Sequence, residues 1–280
     1  MITLTNPLVS TLELAQMLGR TDVKIVDASW WLDGRDARSD YEHERVPGAV
    51  FFDLEAISDL TSPLPHMLPS PQDFATAVGA MGIRETDLIV VYDTQGLFSA
   101  ARVWWMFRIF GAERAVVLDG GLPKWKAENR PLDVIPTALP DPSDFKASIS
   151  ADDVASLMDV KKALGTQTQL LDARGAARFA GSAPEPRAGV RAGHMPGALN
   201  LPYTQLLNPN KTMKGGSALE AAFKEIGVDF DRPVITSCGS GVTAAILTLG
   251  LAVLGKSSRL YDGSWSEWGS QSDTPVQTGP

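Results

Sequence analysis

The sequence predicts an α/β protein made of two similar domains in tandem, each with a central, mostly parallel sheet flanked by helices. Two observations lead to this prediction. Short segments of the first half recur in the same order in the second half, and an ordered recurrence of that kind indicates a duplicated unit. In both halves, short apolar runs alternate with loops and helical stretches, which is the pattern of parallel sheets covered by helices. The 280 residues are enough for two domains of ordinary size.

Three pairs of matching segments carry the repeat, and they come in the same order in both halves. Val26-Asp27-Ala28-Ser29 matches Leu171-Asp172-Ala173-Arg174, Val46-Pro47-Gly48-Ala49 matches Met195-Pro196-Gly197-Ala198, and Leu118-Asp119-Gly120-Gly121 with Trp125 matches Tyr261-Asp262-Gly263-Ser264 with Trp268. We therefore expect the same order of strands and helices in each domain.

Local patterns predict the individual elements. Leu88–Tyr92 in the first half and Pro233–Ser237 in the second are short apolar runs of strand-forming residues, as expected for buried parallel strands. Helices are predicted over Ser99–Phe110 and Thr243–Leu254, each shortly after one of these strands. Capping signals precede two further amphipathic stretches. They are Ser10-Thr11-Leu12-Glu13 and Ser150-Ala151-Asp152-Asp153.

The boundary between the domains is predicted in a proline-rich stretch. Four prolines fall within Pro131–Pro142, where few apolar residues recur at a regular period. We expect a first domain over residues 1–130, a linker over residues 131–147 and a second domain over residues 148–280.

Composition and charge exclude several classes of protein. Lys and Arg number 25 against 33 Asp and Glu, which gives a net charge of -8. Such a surface repels nucleic acid and anionic lipid. No apolar run reaches the roughly 18 residues of a membrane-spanning helix, and the first residues lack the basic and apolar regions of a signal peptide. We expect a cytoplasmic monomer that binds neither nucleic acid nor membranes.

The sequence contains one cysteine, Cys238, which can therefore act only as a free thiol within this chain. It follows a predicted buried strand and precedes a predicted helix, at the edge where α/β proteins bind ligands. Gly239 and Gly241 allow successive N–H groups to converge on one point, and such groups favour the thiolate, which is the attacking form. The alternative is a buried structural cysteine. The glycine-flanked position at the end of a strand favours a nucleophile.

Three other chemistries fit the sequence poorly. A phosphatase of the cysteine-loop-arginine type needs a guanidinium six residues after the nucleophile, where this chain has Ala244. Neither of the glycine motifs that bind nucleotides occurs. The three histidines, His43, His66 and His194, lie in different segments without a metal-ligand spacing. We therefore expect neither a metal site nor an organic cofactor.

Three motifs are shared with a known family. They are the loop Cys238-Gly239-Ser240-Gly241-Val242-Thr243, the turn Gly193–Ala198 and the closing segment Tyr261–Trp268. Together they resemble the tandem rhodanese family of sulfurtransferases, and the resemblance covers nearly the whole chain. It implies two rhodanese-like domains with the nucleophile in the second. Asp93 stands at the aligned position of the first half, where a carboxylate would repel an anionic sulfur donor, so the first domain is expected to be inactive.

The loop also resembles that of one subgroup of the family. Basic residues after the cysteine are typical of members that use thiosulfate, whereas this loop is similar to that of members that use 3-mercaptopyruvate. In those members two arginines hold the donor's carboxylate and keto groups, and Arg178 and Arg187 match their positions. The resemblance implies that four loop residues line the same substrate site. They are Gly239, Gly241, Val242 and Thr243.

A further implied feature is an arrangement of serine, histidine and acid like that of serine proteases. The segment Pro65–Pro69 resembles a family segment whose histidine reaches the serine of the catalytic loop, which here pairs His66 with Ser240. Glu55 stands at the aligned position of the acid, where the best-aligned relative has aspartate. Asp53 or Asp59 could take its place.

The resemblance implies a mechanism through a cysteine persulfide. The Cys238 thiolate takes sulfur from the small-molecule donor 3-mercaptopyruvate, pyruvate leaves, and the persulfide passes its outer sulfur to a thiol, a thioredoxin-like protein or cyanide. Two alternatives stay open: a thiosulfate sulfurtransferase with the same cysteine, and a non-enzymatic carrier that relays persulfide between proteins. The lack of Lys and Arg in the loop argues against the first, and the arginine pair argues against the second.

Overall fold

The computed structural model describes residues 6–135 and 140–280, which divide into two compact units. The first unit comprises Met1–Leu60, Leu68–Ser150 and Pro209–Met213, and the second comprises Thr61–Met67, Ala151–Asn208 and Lys214–Pro280. The first five residues, and residues 136–139 of the predicted linker, lie outside the described residues. Thr61–Met67, from the first half of the sequence, thus belongs to the second unit, and Pro209–Met213, from the second half, belongs to the first.

The described part of the first unit contains a sheet of five parallel strands. The strands are β1 (Leu8–Val9), β2 (Val23–Asp27), β3 (Ala49–Phe51), β4 (Leu88–Tyr92) and β5 (Ala115–Leu118). The helices are α1 (Thr11–Met17), α2 (Ala37–His43), α3 (Pro71–Ala80), α4 (Ala100–Ile109) and α5 (Gly121–Ala127). The strand order across the sheet is β1-β5-β4-β2-β3.

The described part of the second unit repeats this arrangement. Its strands are β6 (Val154–Ala155), β7 (Gln169–Asp172), β8 (Leu199–Asn200), β9 (Val234–Ser237) and β10 (Arg259–Tyr261). Its α-helices are α6 (Leu157–Ala163), α7 (Ala176–Phe179), α8 (Gly216–Glu225), α9 (Ala244–Val253) and α10 (Ser264–Trp268), with 3-10 turns at Ala151–Asp153 and Tyr203–Leu206. The strand order is β6-β10-β9-β7-β8. The predicted α/β fold and its internal repeat are confirmed.

The topology defines where a ligand can bind. In the second sheet the chain begins at the β6 edge, crosses to β7 and continues to β8 at the opposite edge. It then returns to place β9 beside β7 and β10 between β9 and β6. The direction of winding therefore changes between β7 and β9. In open α/β sheets the crevice beyond the carboxyl ends of such neighbouring strands is the usual ligand site. Cys238 is the first residue after β9.

Local sequence explains the central elements of each unit. All five residues of β4 are buried between β2 and β5, which accounts for its unbroken apolar sequence. The helices predicted after β4 and β9 are found as α4 and α9, each one residue shorter at both ends than predicted. α9 is almost wholly buried and is apolar around most of its circumference, whereas α4 is buried apart from Arg108 and also buries Arg102.

One of the two predicted helix caps is confirmed and the other is wrong. Ser10 caps α1 in a capping box, in which the Ser10 hydroxyl accepts from the Glu13 N–H and the Glu13 carboxylate accepts from the Ser10 N–H. After Ser150 the chain makes only a 3-10 turn and then β6, which pairs with β10. The capping box of α6 lies six residues later, at Ser156 and Asp159, because strand pairing takes the intervening residues.

Each unit has its own hydrophobic core. In the first, Trp125 packs with residues of β1, β2, β4 and β5, and a separate group of phenylalanine rings includes Phe74, Phe107 and Phe110. In the second, Trp265 and Trp268 of α10 are fully buried against the sheet. Among the described helices, none is both long enough and apolar enough to cross a membrane.

One buried carboxyl in the first unit differs in its surroundings from its counterpart in the second. Asp172, at the end of β7, forms a bidentate ion pair with Arg174, and both side chains are almost fully buried. The matching residues in the first unit are Asp27 and Ser29, so Asp27 is buried beside a hydroxyl instead of a guanidinium. Burial raises the pKa of Asp27 to about 6, although the hydrogen bonds from Ser29 act in the opposite direction.

This difference predicts that Asp27→Asn stabilises the protein at pH 8 more than at pH 5. The pKa of Asp27 is higher in the folded state than the ~3.9 of an unfolded chain, so wild-type stability falls as the pH rises from about 4 to about 6. The amide removes this loss, which is on the order of 1 to 3 kcal/mol. Thermal unfolding midpoints at the two pH values measure it.

The matched control is Asp172→Asn. This change leaves the Arg174 guanidinium buried beside a neutral amide, so the unfolding midpoint should fall at both pH values. Equal effects of Asp27→Asn at pH 5 and pH 8 would contradict the interpretation that Asp27 titrates in the folded protein.

Candidate active site

Cys238 lies at the position that the topology favours for a ligand. It follows β9, is 2% exposed, and begins the loop Cys238–Thr243 that leads into α9. Gly241 has a φ of 76°, a left-handed backbone conformation that favours glycine. The turn of the loop therefore depends on glycine at this position.

The segment after the neighbouring strand β10 holds the base of the loop. The Ser264 hydroxyl accepts a hydrogen bond from the Cys238 N–H at 3.2 Å and donates to the Tyr261 carbonyl at 2.8 Å. Ser264 is fully buried and has a φ of 49°, which is uncommon for a residue other than glycine. The surroundings thus hold a strained residue against the backbone of the candidate nucleophile.

The loop leaves backbone donors open. Among the described residues, none accepts a hydrogen bond from the N–H groups of Gly239–Thr243. Buried or partly buried N–H groups are nearly always paired with protein or water. The loop is therefore able to receive a negatively charged group.

In the corresponding loop of the first unit, a side chain of the loop itself accepts from several of the N–H groups. The Asp93 carboxylate accepts hydrogen bonds from the N–H groups of Gln95, Phe98 and Ala100 at 2.7 to 2.9 Å. Burial raises the pKa of Asp93, while these backbone hydrogen bonds oppose the shift. A carboxylate of the chain itself thus occupies the place that the second loop leaves open for an anion.

His66 and Ser240 are brought together as the family resemblance implies. The His66 Nδ1 and Ser240 Oγ atoms are 3.1 Å apart, and both residues are buried. His66 lies in Thr61–Met67, the short segment that packs with the second unit. Its φ of 59° is a left-handed conformation, so the segment holds the histidine in an unusual backbone geometry.

The three candidates for the acid lie in the first unit. Glu55 is exposed, and its Oε1 accepts a hydrogen bond from the Trp30 indole N–H at 2.7 Å. Asp53, the first of the alternative acids, caps a turn by accepting from the Ala56 N–H at 3.1 Å. The other alternative, Asp59, is partly buried. The identity of the acid stays a prediction.

Arg178 lies against the cysteine loop. A Cβ atom at Gly239 would come within 3.0 Å of the Arg178 Nη2, so glycine gives the guanidinium room beside the loop. The Nε and Nη2 atoms of Arg178 donate to the Glu185 carboxylate at 3.3 and 2.5 Å. Among the described residues, none accepts from its Nη1, and the side chain is 27% exposed. The Glu185 carboxylate therefore takes the Nε–Nη2 edge of the Arg178 guanidinium and leaves the Nη1 end for another partner.

Glu185 also joins Arg178 to a buried ion pair. Its Oε1 accepts from Arg174 Nη1 at 2.8 Å, and Arg174 in turn binds Asp172. Burial opposes the charged form of Arg174, but Asp172 and Glu185 outweigh it and raise its pKa. Acidic and basic groups alternate through the four residues, so the nearby acids balance the charge on Arg178.

The remaining predicted residues occupy different parts of the site. Val242 is buried, and Thr243 is the N-cap residue of α9. Arg187 is half-buried in the irregular segment between α7 and β8, and its contact with substrate stays a prediction. Among the described residues, no cluster of three or more His, Cys, Asp or Glu side chains could hold a metal ion.

Two residues of the site were missed by sequence reasoning. Glu185 was visible only as part of the segment around Arg187, and nothing local indicates that it binds Arg174 and Arg178. Ser264 belongs to a recognised motif, and a signal for it was available. The motif follows β10, which neighbours β9, so the residues after both strands meet at the same sheet edge.

Comparison with known proteins agrees with the fold. The Rhodanese-like domain matches residues 10–128 and 150–271. A 3-mercaptopyruvate sulfurtransferase of Escherichia coli (strain K12) is 45% identical in an alignment of 269 residues that covers 94% of this chain and 95% of that protein. Thiosulfate/3-mercaptopyruvate sulfurtransferase 1, mitochondrial, of Arabidopsis thaliana is 41% identical in a gapped alignment of 303 residues that covers 99% of this chain and 79% of the relative. The crystal structure of SseA from Escherichia coli has a TM-score of 0.85 at 40% identity, covering 93% of this chain and 99% of that one.

The chain belongs to the rhodanese family, with one rhodanese-like domain in each half. It is an enzyme of the sulfurtransferase class.

Proposed function

We propose that the protein transfers sulfur from 3-mercaptopyruvate, through a persulfide on Cys238, to a thiol, a thioredoxin-like protein or cyanide, and releases pyruvate. One observation carries the proposal. Cys238 begins a loop with open N–H donors, and beside that loop lies Arg178, whose charge Glu185 balances. We assign the chemistry to the second domain, residues 148–280, and take residues 1–130 as a domain without a nucleophile.

The first step forms the persulfide. The Cys238 thiolate attacks the sulfur of 3-mercaptopyruvate, a sulfur–sulfur bond forms, and the carbon–sulfur bond breaks. The electron pair of the broken bond stays on the carbon fragment as the pyruvate enolate, which takes a proton to give pyruvate. Ser240, hydrogen-bonded to His66 at 3.1 Å, is the group that we assign to stabilise or protonate this enolate.

The second step returns the enzyme to its starting form. A thiolate or cyanide attacks the outer sulfur of the persulfide, and the inner sulfur leaves as the Cys238 thiolate. The chain has no second cysteine that could resolve the persulfide within the molecule. The sulfur therefore has to leave on an external acceptor.

The charges at the site favour a monoanionic donor over thiosulfate. The relatives carry the names of both donors, so the choice rests on the residues of this chain. Thiosulfate is a dianion, whereas the loop has neither Lys nor Arg and the Arg178 charge is balanced by Glu185. The carboxylate of 3-mercaptopyruvate needs only the Nη1 end of Arg178, together with Arg187.

The direct test is a single turnover without acceptor. Enzyme mixed with one equivalent of 3-mercaptopyruvate should release about one pyruvate per Cys238 in a rapid burst, and one equivalent is used because excess donor is itself a thiol that could accept the sulfur. Cyanide added afterwards should then give about one thiocyanate per Cys238. If no pyruvate is released but the enzyme still takes sulfur from thiosulfate, thiosulfate would be favoured as the donor.

Arg178→Lys and Arg187→Lys should raise KM for 3-mercaptopyruvate by about tenfold or more, with a smaller change in kcat. Lysine keeps the positive charge but loses the planar guanidinium that binds a carboxylate through two N–H groups. Arg232→Lys, just before β9 at the opposite edge of the sheet, is the matched control and should leave KM unchanged. Wild-type KM in both site variants would mean that these arginines do not bind the donor.

A further inference from the structure

The start of α10 holds two successive carbonyl groups of the cysteine loop. The Trp265 N–H donates to the Cys238 carbonyl at 3.0 Å, and the Ser266 N–H donates to the Gly239 carbonyl at 2.8 Å. The Ser266 hydroxyl donates to the same Gly239 carbonyl at 2.6 Å. Ser266 is 5% exposed, so these hydrogen bonds are shielded from water.

Together with the planarity of the peptide bond, these contacts define the direction in which the N–H groups of the loop point. In a planar trans peptide, the carbonyl of one residue and the N–H of the next point in opposite directions. The described residues contain no cis peptide bond. Because both carbonyls point toward α10, the N–H groups of Gly239 and Ser240 both point away from it. Neither of them has an acceptor among the described residues.

The first unit provides an internal comparison. The repeat aligns Leu122 with Trp265, and the Leu122 N–H donates to the Asp93 carbonyl at 3.0 Å, as Trp265 does to Cys238. The residue aligned with Ser266 is Pro123, which has neither an N–H nor a hydroxyl to donate. The pair of bonds from residue 266 is therefore specific to the unit that contains the cysteine.

We propose that Ser266 is a positioning residue for sulfur transfer. By holding the Gly239 carbonyl through two bonds, it fixes the direction of the Ser240 N–H, so that this donor faces the negative charge on the reacting sulfur or on the donor. The proposal rests on the proposed function for the reaction itself, but it requires only an anionic sulfur at Cys238. It therefore holds for either sulfur donor.

Ser266→Ala tests the role of the hydroxyl. The variant keeps the backbone bond and loses the side-chain bond, so we expect kcat to fall by about three- to tenfold while the donor KM stays within about twofold. Ser266→Thr, which retains a hydroxyl, should recover at least about half of the wild-type kcat. The matched control is Ser270→Ala, which removes a hydroxyl bond to the Ser266 carbonyl but does not touch the loop.

The assays use whichever of 3-mercaptopyruvate and thiosulfate the wild type accepts, with cyanide as acceptor. A wild type that takes sulfur only from thiosulfate contradicts the proposed donor but leaves the Ser266 comparison intact. Wild-type kcat in Ser266→Ala overturns the inference, as does an equal loss in Ser270→Ala or an effect confined to KM. If Ser266→Ala does not fold, the inference depends on Ser266→Thr, and low kcat in that folded variant overturns it.

Discussion

Cys238→Ser should abolish sulfur transfer from every donor while leaving the fold unchanged. Oxygen cannot form the persulfide, and the substitution alters the size of a buried side chain only slightly. The expected loss in kcat is at least about a thousandfold, since removal of the nucleophile leaves only the binding contributions of the site. Pyruvate release and thiocyanate formation from cyanide both measure it.

Intact-mass spectrometry makes this prediction more specific. After incubation with 3-mercaptopyruvate and no acceptor, the wild type should gain one sulfur atom, and the variant should gain none. The chain has no other cysteine, so a sulfur adduct on Cys238→Ser has no alternative thiol to account for it. Such an adduct would remove Cys238 from the mechanism.

Gly239→Arg should change the preferred donor. The new Cβ would lie 3.0 Å from the Arg178 Nη2, so Arg178 has to shift, and a second guanidinium adds positive charge beside Cys238. Loss of the Arg178 position weakens binding of the 3-mercaptopyruvate carboxylate, while the added charge favours the thiosulfate dianion. The ratio of kcat/KM for 3-mercaptopyruvate to that for thiosulfate should fall at least about tenfold, or about 1.4 kcal/mol.

Gly239→Ala separates the displacement of Arg178 from the effect of the added positive charge. It introduces the same Cβ contact with Arg178 but no charge, so it should reduce use of 3-mercaptopyruvate without improving use of thiosulfate. An unchanged ratio in a folded, active Gly239→Arg variant would mean that charge in the loop does not select the donor.

The fold could be predicted because its signals are local and repeated. The strand Leu88–Tyr92 is found as predicted, since a strand covered on both faces requires an unbroken apolar sequence. The wrong prediction of a helix cap at Ser150 also came from a local signal. A capping pattern is local, but whether the following residues enter a helix depends on pairing with β10, which is distant in sequence.

The site could be predicted from sequence only in part. Position at the end of a strand and flanking glycines identify Cys238 from local rules. The contact between His66 and Ser240 joins residues 174 positions apart, so it came from the family resemblance and not from residue patterns. The role of Glu185 was missed because the partner of a charged side chain is decided by tertiary packing.

The proposed function requires that 3-mercaptopyruvate be the preferred sulfur donor of the Cys238 site. Steady-state kinetics of the wild type with 3-mercaptopyruvate and with thiosulfate, under the same conditions and with cyanide as the common acceptor, test it most directly. We expect a kcat/KM at least about tenfold higher for 3-mercaptopyruvate, since Arg178 can bind its single carboxylate, whereas the loop has no Lys or Arg to balance the second charge of thiosulfate. An equal or higher kcat/KM for thiosulfate would contradict it.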